Sequence, residues 1–148
     1  MKGRRLLTAV LPAVLLLSLQ ACGDDEKSYC SALSGDQKVF AEMQDDTSGV
    51  ALLKHRSTLH SLAEKAPDDL SDEWQTFLGA LDAFAKTLHD VGVDPGDFVG
   101  GQPPAGLSAA DRTRVADAAS ELSDADVVEA ANGIEQHAKD VCKLQLGL

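Results

Sequence analysis

The chain lacks an apolar run long enough to cross a bilayer. Its main apolar stretch, Leu6 to Leu19, is fourteen residues broken by Thr8, Pro12 and Ser18. At about 1.5 Å per residue a helix there spans roughly 21 Å, short of the roughly 30 Å hydrocarbon core. There is no C-x-x-C and no clustering of Cys with His, so a dithiol redox centre or a clustered metal site has no ligand set. G-x-S-x-G, P-loop and dinucleotide fingerprints are missing as well, and with them the usual sequence grounds for nucleophilic or nucleotide chemistry. Basic residues are few: 13 Lys and Arg stand against 24 Asp and Glu. An acidic surface repels phosphate backbones, so no nucleic-acid partner is expected. Together these absences point to a non-enzymatic protein without metal or cofactor.

What is present begins with an export signal. Lys2, Arg4 and Arg5 form a positive segment ahead of the apolar stretch, which is the layout of a signal peptide. It is followed by "LQAC", residues 19–22: an aliphatic residue, Gln20, a small residue and a cysteine. The motif resembles the lipobox of bacterial lipoproteins, departing from it at Gln20, where a small or β-branched residue is usual. The resemblance implies that the Cys22 thiol receives a diacylglyceryl group and that the chain is cut just before it. Residues 1–21 are then a lipoprotein signal peptide, 22–28 a polar tether and 29–148 the folded domain. Two acyl chains give a stable anchor where one is marginal. The expected location is the outer, extracytoplasmic face of a bacterial cell membrane, held by lipid. Loss of the leader removes three basic residues, leaving ten against 24 acidic ones and a formal charge of −14.

With Cys22 acylated, Cys30 and Cys142 remain as an even pair in an oxidising compartment, and a disulfide between them is expected. Closing a loop of that length is worth roughly 4 to 5 kcal/mol in the chain-entropy account.

The rest of the pattern is helical, with no alternating strand signal. Tyr29, Leu33, Phe40 and Met43 mark a first amphipathic stretch, and Leu52, Leu59, Leu62 and Ala66 a second, closed by Pro67. Trp74, Phe77, Leu81, Phe84, Leu88 and Val91 mark a third, with Ser71 as N-cap and Asp72 and Glu73 in the first turn. Residues 92–107 form a Gly/Pro-rich loop. Ser108 to Asp111 reads as a capping-box variant opening a short helix to Leu122. Ser123 then caps a last helix faced by Val127, Ala131, Ile134, Ala138 and Val141. The expected fold is all-α: an antiparallel four-helix bundle with a short extra crossing helix. In that order Cys30 and Cys142 share one end with the Pro67 turn. The turn at Thr47 to Gly49 and the loop 92–107 share the other, away from the membrane.

Candidate functional residues are sparse. His55 lies on the second apolar stripe, and His60 is about 140° round the helix from it, so the two share no ligand face. His89 and His137 are isolated. Asp124, Asp126 and Glu129 sit where acids offset a helix dipole without any ligand. Asp90, Asp94 and Asp97 lack the order of a calcium loop. Trp74 reads as core. Phe98 and Val99 interrupt the polar loop; either they tuck over the bundle end, or, flanked by Asp94 and Asp97, they form an apolar hook for a partner.

"YCSAL" (29–33), "APDDLSDEWQTFL" (66–78) and "HAKDVC" (137–142) are similar to segments of small exported helical proteins and lipoproteins of actinobacteria. Those pair an early Tyr-Cys with a late Cys, which implies the bundle and the disulfide and brings no catalytic or binding residue. The functional expectation is an interaction module facing another envelope protein. The alternative is a carrier of a small apolar ligand between the helices, where Ala118, Ala119, Ala131 and Ala138 would leave room.

Overall fold

Apolar side chains recurring at three and four residues wind most of the chain into helices, and one of these serves as the spine. The structure, a computed structural model, describes residues 22–48 and 50–148. The expected leader, residues 1–21, and Gly49 of the expected distal turn lie outside the described residues. Among the described residues the architecture is all-helical. The only paired extended backbone there is an isolated bridge between Val99 and Gln102.

Among the described residues seven α-helices follow in order: α1 (Cys22–Gly35), α2 (Gln37–Asp45), α3 (Ala51–Lys54), α4 (Arg56–Ala63), α5 (Ser71–Asp90), α6 (Ala109–Glu121) and α7 (Ala125–His137). The spine is α5, whose Trp74, Phe77, Leu81, Phe84 and Leu88 are all buried, as their spacing predicts. It packs chiefly against α7, then against α6 and α4. The helices make a bundle around that stripe.

Two of the expected helices are each interrupted by one residue. Asp36, at φ −99° and ψ 11°, separates α1 from α2. His55, at φ −104° and ψ 13°, separates α3 from α4. The second break shifts the buried face: Leu53 is in the core, while Leu52 is half-buried. His55 is therefore a junction residue, whose carbonyl accepts from the Thr58 and Leu59 amides.

The helix starts also differ in detail. Ser71 is not a cap, because a 3-10 turn, Asp68–Leu70, winds directly into α5 and leaves Leu70 in the cap position with no side-chain bond. Asp124 rather than Ser123 precedes α7, again without a side-chain bond. Ser108 does cap α6: its Oγ accepts from the Asp111 amide at 3.1 Å and lies 2.7 Å from the Asp111 carboxylate. The polar segment 23–28 is exposed, as a tether would be, but it is helical and continuous with α1.

Side-chain contacts fix how the ends are arranged. The start of α5 meets α1 through a hydrogen bond donated by Trp74 Nε1 to the Tyr29 hydroxyl, 3.0 Å. Glu73 packs over Gly133 of α7, where an added Cβ would come within 3.0 Å of the Glu73 Cγ. The late part of α7 thus lies against the beginning of α5. A π turn, Ala138–Cys142, extends α7 to the Cys30–Cys142 disulfide, with Cα atoms 5.1 Å apart. This is the disulfide end. The α6 helix packs on α5, and the chain after it returns through α7 to place Cys142 on Cys30.

Candidate functional site

At the opposite end, loop 92–107 and the turn after α2 are tied together. The Gly101 amide donates to the Ser48 carbonyl at 2.8 Å. Val99 and Gln102 exchange two backbone hydrogen bonds of 3.1 Å around Gly100 and Gly101, at φ 56° and 75°. Positive φ at both central positions is the two-residue hairpin turn that suits glycine. Below it, a 3-10 turn, Pro95–Asp97, is closed by a reciprocal capping box. The Asp94 carboxylate accepts from the Gly96 amide at 2.7 Å, and the Asp97 carboxylate accepts from the Asp94 amide at 3.3 Å. Ser48 is itself fixed. Its amide donates to Asp46, and Lys54 Nζ donates to both the Asp46 carboxylate, at 2.8 Å, and the Ser48 hydroxyl. The Lys54 and Ser48 hydrogen bonds hold the Asp46 carboxyl down at about 2.

The structure divides the expected hook. Phe98 is buried, edge-on to Phe84 at 6.5 Å between ring centres, and closes the core at this end. Val99 is 79% exposed and stands at the tip. Asp94 and Asp97 are exposed, but their carboxylates are engaged by the local backbone. The site is thus a braced turn that presents one aliphatic side chain.

A second cleft, of about 440 Å3, lies between α4 and α5. Ala63, Trp74 and Leu78 line it together with His60 and Asp82. There the Asp82 carboxylate accepts from Arg56 Nη1 at 3.2 Å and lies 3.0 Å from His60 Nε2. Sequence reading compared His60 only with His55 and so missed it. The available signal was the i,i+4 placement of Arg56 and His60, which gives one helix face two groups able to meet an acid on a neighbour.

The remaining candidates are scattered. His89 is exposed, and Asp90 is held by Lys86 at 2.6 Å, a contact that lowers its carboxyl below the usual range. Asp126 and Glu129 line a cleft of about 200 Å3 with Asp72, Glu73 and Thr76, while Asp124 stands apart at the start of α7. Among the described residues no group of three or more His, Cys, Asp and Glu side chains is placed to hold a metal ion. At the disulfide end the His137 ring lies 5.8 Å from that of Tyr29. Burial pushes the Tyr29 phenol up to about 12, with the Trp74 hydrogen bond acting the other way. Glu73 Oε2 and His137 Nδ1, close to this cluster, are buried without a hydrogen-bond partner. Comparison with known proteins adds no assignment: no family model matches the chain, and neither a curated protein nor a solved structure is significantly similar to it.

Proposed function

We propose that this protein is a lipid-anchored extracytoplasmic interaction module, without catalytic chemistry of its own, that offers the tip of loop 92–107 to another envelope protein. The reading is supported above all by the contrast between an exposed aliphatic tip and the rigid frame beneath it. Val99 stands out on a glycine turn braced by Ser48, by the Asp94–Asp97 box and by Phe98. A pre-organised loop loses little entropy when it is met by a partner. The proposed attachment residue, Cys22, opens the helix that carries Cys30, so anchor and tip fall at opposite ends of the bundle.

Two measurements test the reading. Growth of the host with a clickable fatty acid labels the wild-type chain, and Cys22→Ser abolishes both the label and membrane retention. A photo-crosslinking residue at Val99 traps a protein partner that the same residue at Gln75 does not. An unlabelled wild-type chain rejects the anchor, and an empty Val99 crosslink rejects the module. The α4–α5 cleft, with Trp74 and Leu78 in its wall, is where the carrier alternative would place its ligand. A small molecule retained at fixed stoichiometry in native mass spectrometry favours that alternative.

A further inference from the structure

Among the described residues two glycines stand inside a helix and away from its ends, Gly79 in α5 and Gly133 in α7. A glycine there weakens a helix by comparison with alanine, so each calls for a reason. For Gly133 the reason is packing, since a Cβ would come within 3.0 Å of the Glu73 Cγ. Gly79 has helical backbone, and a Cβ built on it meets nothing within 4 Å. Neither backbone conformation nor packing within this chain requires a glycine at that point. A remaining use of glycine is to let a ligand approach the backbone closely. Gly79 lies in the wall of the α4–α5 cleft of about 440 Å3.

One face of each helix builds that cleft. At one end the Asp82 carboxylate is engaged by Arg56 and His60, so its charge is already matched. About one turn further along α4 come Ala63 and Glu64, and about one turn back along α5 come Leu78 and Gly79. Glu64 is exposed, and among the described residues no cation lies within ion-pair distance of it. It also caps the C-terminal end of α4, where the last helix carbonyls add negative potential. Beside Gly79 the cleft thus offers bare helix backbone, the apolar side chains of Ala63, Trp74 and Leu78, and a carboxylate without a cation.

We propose that the α4–α5 cleft is a binding site for a small aromatic amine, with the ring against the backbone at Gly79 and the ammonium group on Glu64. Charge selects the head group. An acid or a phosphate would meet Glu64 and Asp82 on a chain with 24 acidic against 13 basic residues. The size of the apolar floor selects the rest. Trp74 and Leu78 are buried and show only an edge to the cleft, which matches a single ring and not an acyl chain. The absent Cβ at Gly79 leaves room for a flat group to touch the helix. A ligand in an open cleft of this kind exchanges rapidly and differs from the retained cargo of a carrier. The site is independent of the anchor and of the Val99 tip, and it stands or falls without them.

The test uses the intact disulfide-bonded chain and phenethylamine, followed through the Trp74 indole N–H and the Gly79 amide in proton–nitrogen NMR spectra. Wild type gives saturable shifts at both, with a dissociation constant in the millimolar range. Phenethyl alcohol, the same ring without the charge, binds about threefold more weakly, and Glu64→Gln removes that preference. Gly79→Leu fills the cleft and still folds, because its Cβ meets nothing, and the amine then leaves the Trp74 resonance unmoved. Gly79→Ala raises the thermal midpoint by a few degrees, as helix propensity requires, and weakens binding by about fivefold or more. A glycine that is merely tolerated predicts otherwise: Gly79→Ala gains the same stability and binds the amine as well as wild type. That result overturns the proposal, as does a shift in wild type that never saturates. Equal binding of the alcohol overturns the choice of an amine. Equal shifts with methylamine show attraction of any cation to an acidic surface, and overturn the role of the ring.

Discussion

The two ends of the bundle are held by different means. At the disulfide end, residues far apart in sequence converge: Cys30 with Cys142, Tyr29 with Trp74, and Glu73 with Gly133. At the loop end the ties are mostly local. The Asp94–Asp97 box, the Val99–Gln102 turn and the Asp46–Ser48–Lys54 network each close within a few residues, and one backbone bond, Gly101 to Ser48, joins the two segments. An end built from long-range contacts carries the stability of the whole chain. An end built from local turns keeps its shape with little influence on the rest, so its surface is free to vary.

The largest effect that would break this contrast is at the disulfide. Reduction, or Cys30→Ser with Cys142→Ser, removes roughly 4 to 5 kcal/mol of stability by the chain-entropy account. Chemical denaturation of oxidised and reduced protein measures it, and a difference below about 1 kcal/mol would show that the disulfide end is not the stabilising one. Next comes pH. The Tyr29 phenol is raised to about 12 in the folded chain, so its contribution is complete below pH 10 and is lost as pH rises from 10 to 12. The expected loss is on the order of 2 to 3 kcal/mol, and Tyr29→Phe removes this alkaline limb from the stability profile.

At the loop end the effects are smaller. Gly101→Ala forces a side chain into the left-handed region at φ 75° and costs about 1 to 2 kcal/mol, read as a lower thermal midpoint with the disulfide-end signal of Trp74 fluorescence unchanged before melting. Val99→Ala alters stability by less than about 0.5 kcal/mol, because the side chain touches little. If instead Val99→Ala destabilised the fold as much as Gly101→Ala, the tip would be part of the core and the two ends would not differ as described.

What could be read in advance follows the same division between regular pattern and detail. The α5 stripe was legible because five burials repeat at helical spacing, and the Ser108 start because its cap is chemical and local. The meeting of the Ser48 turn with loop 92–107 followed from counting helices up and down. The breaks at Asp36 and His55 were not legible, since one residue out of helical geometry leaves the apolar spacing nearly intact on both sides. Val141 was expected inward and is exposed, because the π turn changes the register that α-helical spacing assumes. The burial of Leu146 gave no signal at all: a single leucine in irregular backbone has no period, and its backbone is held by Glu135 and by Gln44, the latter 102 positions away. Of the candidate site, the exposed Val99 and the buried Phe98 were read as a pair, and only packing against Phe84 tells them apart.

The sulfur bridge has one more consequence. It joins residues separated by 112 positions, so nearly all of the folded chain belongs to a single covalent ring. A protease that nicks loop 92–107, a stretch rich in glycine and proline, opens the ring without releasing either piece. The nicked molecule still migrates as one species until it is reduced, and a chain so cut can keep its two pieces in service together.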